Sequence, residues 1–268
     1  MTKLPIYQVD VLARGPFTGN PAAVCPLENW LPDAVMQGIA AENNLSETAF
    51  FVRRSDNDYD LRWFTPTVEV DLCGHATVAS GHVALNVLEP TRNAVTFHTR
   101  SGELTVSRTD NMLALDLPAR ASAPASDARQ MDDLERILGA RQVNLLKSVV
   151  SVAVFDDEPT MRDMQPDFAL MRSLGFDWIS VTAPAPDSQT DFVSRYFAPG
   201  SGITEDPVTG SAHGWLVPYW SARLGKTQLN ARQVSRRGGW LNCTLNDDRV
   251  IVAGSVIEYL SGTLTLPS

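Results

Sequence analysis

Glu47 heads the run Asn44-Leu-Ser-Glu-Thr-Ala-Phe-Phe51, a single carboxylate at the start of an apolar stretch. An acid pressed against Leu45, Phe50 and Phe51 is partly desolvated, which moves its proton affinity towards the range a general acid or base needs. From this segment alone, a capping or exposed edge carboxylate is the simpler reading. Asp71-Leu-Cys73-Gly74-His75 packs acid, thiol and imidazole into one short turn. His75 could exchange a proton with a substrate, or serve as a hydrogen-bonded structural histidine, and Cys73 could be a thiolate at a helix N-terminus. In the second half, Ile203-Thr-Glu-Asp206-Pro-Val-Thr-Gly210-Ser211-Ala-His213 is the densest polar turn. Asp206 could be a carboxylate partner for His75 and Ser211 a donor, against the plainer reading of two turn-forming side chains. His213, one step inside the following helix, reads as a packed or capping histidine. Asn20, in a Gly-Asn-Pro turn, is placed to reach a ligand.

These residue types point to proton transfer rather than to metal or phosphate chemistry. There is no His-Glu-x-x-His, no Cys-x-x-Cys and no phosphate-binding Gly-x-x-x-x-Gly-Lys-Ser/Thr. Cys73-Gly-His75 is spaced too tightly for the usual structural zinc patterns. Neither a metal nor a cofactor is expected. Cys25, Cys73 and Cys243 are odd in number and far apart, so no disulfide framework is expected.

The elements that position these groups follow from periodicity. Alternating or β-branched segments predict strands over Leu4–Leu12, Ala22–Cys25, Thr48–Val52, Tyr59–Phe64, Val95–Thr99, Glu103–Ser107 and Met112–Leu117. A helical spacing of Val35, Met36, Ile39 and Ala40 runs from Pro32 to about Asn43. Ala76 to Leu88 is small and apolar on nearly every side, as expected of a helix enclosed by other structure. Pro118-Ala-Arg-Ala-Ser-Ala-Pro-Ala-Ser-Asp127 lacks periodicity and reads as a linker. Beyond it, helices are predicted at Asp132–Leu138 and Asp167–Leu174, and strands at Ser148–Phe155, Trp178–Thr182 and Phe192–Phe197.

The two halves repeat one another. Arg62-Trp-Phe-Thr-Pro66 matches Arg195-Tyr-Phe-Ala-Pro199 at an offset of 133 residues. Asp71–Ala76 lies against Pro207–Ala212 at an offset of 136, which sets Gly74 on Gly210 and Cys73 on Thr209. Phe97–Gly102 faces Val234–Gly239 at an offset of 137. Three blocks in one order indicate a duplicated unit. Duplicated halves commonly face a cleft, and the Gly74-His75 and Gly210-Ser211 turns each open a helix. Helix N-termini offer unpaired N–H groups and the positive end of a dipole, which suits a carboxylate ligand.

The chain has 22 basic against 31 acidic side chains, a net charge of −9, which disfavours a phosphate backbone as partner. Arg232, Arg236 and Arg237 form only a short basic run. No stretch reaches the roughly 20 apolar residues of a membrane helix. The opening residues lack the apolar core of a signal peptide, so a cytoplasmic protein is expected.

In combination, Phe17-Thr-Gly-Asn20-Pro-Ala-Ala-Val, Asn44-Leu-Ser-Glu47-Thr-Ala-Phe, Arg62-Trp-Phe-Thr-Pro, Asp71-Leu-Cys-Gly-His75-Ala-Thr, Glu205-Asp206-Pro-Val-Thr-Gly-Ser211-Ala-His and Arg232-Gln-Val-Ser-Arg-Arg-Gly-Gly resemble the PhzF-like phenazine-biosynthesis family over nearly the whole chain. The resemblance implies an α+β, diaminopimelate epimerase-like fold. It has two pseudo-symmetric domains, each a curved β-sheet around a central helix, with the cleft between them. Domain limits of 1–118 and 119–255 follow, with the last strand, 256–268, completing the first domain. It also implies a homodimer and a cofactor-independent isomerisation of the kind performed on trans-2,3-dihydro-3-hydroxyanthranilate. The proton-shuttling glutamate falls on Glu47, and the assisting residues fall on His75, Asp206 and Ser211. The expected activity is therefore an isomerase moving a proton within a small carboxylate-bearing substrate, with Glu47, His75 and Asp206 catalytic and Asn20, Gly74, Gly210 and Ser211 binding. A racemase built on Cys73 is the alternative, weakened by Thr209 standing where a second thiol would be. A non-catalytic binding descendant is the other, weakened by the intact acid–base set.

Overall fold

Strand β3 (Glu47–Arg53) shows how the first half is built, because four successive residues from Thr48 to Phe51 are buried. A strand buried on both faces needs a layer on each side. In a computed structural model, which describes residues 1–54, 58–125, 127–142, 144–185 and 187–266, helices supply both layers. The chain divides into two units, one of Met1–Asp116 with Ala253–Ser268 and one of Leu117–Val252.

The first unit runs β1 (Thr2–Val11), β2 (Asn20–Leu27), α1 (Asp33–Asn43), β3, β4 (Asp58–Phe64), β5 (Glu69–Val70), α2 (Gly74–His82), β6 (Ala94–Thr99), β7 (Gly102–Thr109) and β8 (Met112–Pro118). Met36 and Ile39 of α1 pack with Phe50 and Phe64 on one face of the sheet. On the other lies α2, whose nine residues are all buried and which touches β1, β2, β3, β6 and β7. Its small side chains allow that approach. A Cβ on Gly81 would come within 2.5 Å of Val106 Cγ1.

The second unit runs β9 (Ala123–Pro124), α3 (Ala128–Leu138), β10 (Asn144–Lys147), β11 (Ser151–Val154), α4 (Glu158–Asp163), α5 (Phe168–Ser173), β12 (Ile179–Pro184), β13 (Phe192–Ala198), β14 (Ile203–Glu205), α6 (His213–Leu224), β15 (Gln228–Gln233), β16 (Gly239–Asn246) and β17 (Arg249–Gly254). Residues of α3, α4 and α5 cover β11, β12 and β13 in one apolar cluster. Strand β18 (Val256–Leu266) then pairs antiparallel with β1, Leu266 opposite Thr2.

The pairing pattern repeats. Antiparallel β1–β2, parallel β2–β3, antiparallel β3–β4 and parallel β4–β6 in the first unit correspond to β10–β11, β11–β12, β12–β13 and β13–β15 in the second. The Arg-x-Phe motif of each half has the same task. Arg62 on β4 grips Glu69 of β5 with Nε and Nη2 at 2.7 and 2.8 Å. Arg195 on β13 grips Glu205 of β14 at 2.7 and 3.1 Å. Each guanidinium also lies over the aromatic ring two residues on, Phe64 and Phe197.

Three expectations need correction. The stretch read as a linker is tied down. Ala119 N–H donates to Asp248 O, β9 pairs with β10, and Asp127 caps α3 through the N–H groups of Arg129 and Gln130, while Ser126 lies outside the described residues. Arg120 N–H also donates to Gly214 O at 2.8 Å, the carbonyl that Pro218, lacking an N–H, cannot satisfy within α6. The strand expected at Ser148–Phe155 is present as β11 but starts later, at Ser151, and its antiparallel partner β10 went unpredicted, because Leu145 and Leu146 are too short a run to show alternation. The helix from Gly74 keeps α geometry only to His82. Val83–Leu88 widens to a π-helical turn, where Arg108 Nη2 donates to Leu85 O at 2.7 Å and Glu89 N–H reaches Ala84 O.

Candidate active site

Sheet register places three of the candidate residues together in the first unit. Asn20 begins β2 after Gly19, whose positive φ of 76° and close approach to Val11 O (2.4 Å from a Cβ) leave room for glycine alone. Pro21 then holds Asn20 extended. In the parallel β2–β3 pair Ala22 is opposite Glu47, so Asn20, two residues before Ala22, projects from the same face as Glu47. Glu47 itself is set by the end of α1, where Asn44 closes the helix in the left-handed conformation and donates its N–H to Ala40 O. Asn43 Nδ2 then donates to Thr48 Oγ1 at 3.1 Å.

Over that face lies the start of α2. Cys73 is extended, its carbonyl accepts from Thr77 Oγ1 (2.6 Å) and Thr77 N–H, and no side chain caps the first turn. His75 is thereby fixed with its ring between β2 and β3. Asn20 Nδ2 stands 3.2 Å from Nδ1, and Cys73 Sγ stands 3.5 Å from the same nitrogen. Nε2 stands 3.1 Å from Glu47 Oε2. That contact lacks the angle of a hydrogen bond, and among the described residues both atoms are buried with no hydrogen-bond partner. The two side chains are only 6% and 13% exposed.

The electrostatics are those of a charge held against burial. Burial works against an imidazolium at His75, but Cys73 and Glu47 beside it raise the ring well above the usual histidine range; with the thiol protonated, the Glu47 carboxylate is the negative charge that faces it. Burial, with the nearby Glu47 charge, pushes the Cys73 thiol up to about 11. At neutral pH the thiol keeps its proton, so Cys73 is a poor base here.

Glu47, Cys73 and His75 offer donor atoms within 4.8 Å of one another, which is a conceivable metal cluster. The thiol flanks Nδ1 and the carboxylate flanks Nε2, however. One ion cannot bind both ring nitrogens.

The remaining candidates gather in the second unit. Asp206 accepts from Thr209 Oγ1, its N–H donates to Tyr196 O, and its carbonyl accepts from Gln233 Nε2 at 2.8 Å. Gln233, fully buried on β15, also takes Thr209 N–H on Oε1 at 2.9 Å. Sequence reasoning passed over Gln233 and read Thr209 only as the counterpart of Cys73; a glutamine at a buried strand position was the available signal. Gly210 is buried and Ser211 half-buried in a single 3-10 turn (Gly210–Ala212) that leads into α6 without a side-chain cap. His213 is buried under Phe192, its Nδ1 at 3.0 Å from Thr209 O, and burial lowers it to about 4. Asn20, expected at the ligand, has its amide on His75.

Comparison with known proteins gives one consistent answer. Residues 9–262 match the family model described as phenazine biosynthesis-like protein. A protein of Pseudomonas aeruginosa named as an uncharacterized isomerase is 50% identical over 264 residues, covering 98% of this chain and all of that one. The crystal structure of a PhzF-family phenazine biosynthesis protein from Enterococcus faecalis superposes with a TM-score of 0.91 at 42% identity, over 99% of this chain and 100% of that one. A hydroxyproline epimerase from Agrobacterium vitis, at 10% identity and a TM-score of 0.60 over 98% of this chain and 92% of that one, shares the fold.

Proposed function

This chain belongs to the phenazine biosynthesis-like family, and we propose that it is an isomerase moving a proton within a small carboxylate-bearing substrate, of the amino- or hydroxy-acid kind, without a cofactor. Glu47 takes a proton from an activated carbon and returns it elsewhere on the same molecule. His75 supports the carboxylate through Nε2, Asp206 is the second acid–base group, and the Gly74-His75 and Gly210-Ser211 turns bind the substrate carboxylate through their N–H groups.

The observation that carries this reading is the pair of buried, unpartnered atoms, Glu47 Oε2 and His75 Nε2, 3.1 Å apart. Acid–base groups often align only when substrate completes the site. The racemase reading finds less support, since the Cys73 thiol is held protonated and its counterpart Thr209 donates its hydroxyl to Asp206. The test is a screen of cyclic and acyclic amino and hydroxy acids in D2O, read by NMR for deuterium at carbon. Wild-type protein is expected to exchange at least one compound and folded Glu47→Gln none; full exchange by that variant overturns the assignment.

A further inference from the structure

Asn20 has no exposed surface and lies 55 residues from His75 in sequence, yet its amide meets the ring nitrogen that does not face Glu47. An asparagine here is costly unless it is used. A buried carboxamide must have its polar atoms satisfied, and an apolar side chain would pack as well between β2 and α2. Two donors crowd Nδ1, the Asn20 amide at 3.2 Å and the Cys73 thiol at 3.5 Å. A neutral imidazole that faces the amide N–H accepts at Nδ1 and carries its hydrogen on Nε2, with the weaker thiol fitting either role. An imidazolium, in contrast, needs an acceptor at Nδ1, and a carboxamide provides one by turning over to present Oδ1.

We propose that Asn20 is a positioning residue for His75: its carboxamide donates to Nδ1 of the neutral ring and accepts from Nδ1–H of the imidazolium, so that protons enter and leave His75 only through Nε2, on the Glu47 side. Nδ1 is the fixed end of the ring and Nε2 the working end. The groups facing the ring are Glu47 from β3, Cys73 from its own turn and Asn20 from β2. Of these, the carboxamide is the one that can serve as a full-strength donor or acceptor while staying uncharged; the neutral thiol is weak in both roles. The role given to Nε2 rests on the proposed acid–base reading, but the state of the ring can be measured without any substrate.

The experiment is nitrogen NMR on protein carrying 15N-histidine, with the His75 signals identified by their loss in His75→Gln. The pH is raised until the ring is neutral. Wild-type protein is expected to show an unprotonated Nδ1 and a protonated Nε2. In Asn20→Asp a carboxylate, which only accepts, should draw the hydrogen to Nδ1 and reverse the pattern, while Asn20→Leu should give a mixture of the two tautomers. With a substrate from the D2O screen, Asn20→Asp should lower kcat at least 10-fold with KM changed less than 3-fold. Protonated Nδ1 in the neutral wild-type ring overturns the inference, whether or not the variants fold. So does an unchanged pattern in folded Asn20→Asp. A reversed pattern with no exchange of any compound by wild-type protein would instead leave the positioning role intact and remove the isomerase reading.

Discussion

Two histidines opening equivalent helical regions of the two units are held in opposite electrostatic settings. His75 has the Glu47 carboxylate and Cys73 beside it and is raised well above the ordinary histidine range; His213 has the backbone of Thr209 and Gly210 and aromatic neighbours, and burial lowers it to about 4. For His213 the folded value of about 4 lies below the ordinary 6.5, so the unfolded chain takes up the proton first as pH falls. Its contribution to stability is therefore complete above pH 6.5 and is lost between there and about 4, on the order of 3 kcal/mol. Urea unfolding at pH 7 and at pH 4.5 should show that loss, and His213→Gln should remove most of it; an identical pH dependence in the variant would contradict the assignment. The residue types at the site were legible in sequence, since Glu47 in an apolar run and His75 at a Gly-His turn stand out. Their partners were not. Asn20 and Gln233 act on residues 55 and 24 positions away, and such contacts are created by register, which no local pattern contains.

Elements explain why that register is reached. Helix α2 is buried all round, so its packing distance sets how close His75 comes to β2 and β3. Gly81 fixes that distance on the far side of the helix, against β7. Gly81→Ala should gain about 1 kcal/mol of helix propensity but lose more to overpacking against Val106, where the added Cβ would sit 2.5 Å from Cγ1. A net loss of about 1–2 kcal/mol in denaturant unfolding is expected, largely restored by adding Val106→Ala. A stabilised Gly81→Ala protein would show that the helix has slack. The enclosed helix was readable from its composition, as were most strands of the first unit. The segment before α3 was misread because its anchoring is backbone hydrogen bonding, by Ala119, Arg120 and Ala125, which small polar residues do not advertise. Helix α4 was missed although Asp157-Glu-Pro159 is a capping signal, its carboxylate accepting Thr160 N–H at 2.7 Å.

Across the whole molecule the duplication is the organising fact, and the copies have diverged in how much depends on each part. The Arg62–Glu69 and Arg195–Glu205 clamps share geometry, but Glu69 also meets Arg100 at 2.8 Å, whereas Arg195 donates through Nη1 to the carbonyls of Met161, Arg162 and Met164 at the end of α4. Arg62→Met should cost about 1 kcal/mol, because Glu69 keeps a cation. Arg195→Met leaves a half-buried carboxylate and three carbonyls without their donor, and should cost about 3 kcal/mol or more. Equal losses in parallel denaturant titrations would mean that the copies are still interchangeable. The repeat itself was visible from three short blocks, because the Arg and aromatic residues in them have the same geometric task in both units. Salt screens the net charge of −9 beyond about 10 Å, so under the proposed reading local N–H groups rather than the overall field would hold an anionic substrate.

Deuterium wash-in at carbon, followed by NMR on one exchanging substrate, tests the central claim most directly when Glu47→Gln is run beside Cys73→Ala. Carboxylate chemistry predicts a rate reduced about 1000-fold or more in folded Glu47→Gln, within the 10²–10⁴ range of general acid–base catalysis, and within about 3-fold of wild type in Cys73→Ala. Exchange that survives in Glu47→Gln and vanishes in Cys73→Ala would place the proton on sulfur and contradict the account.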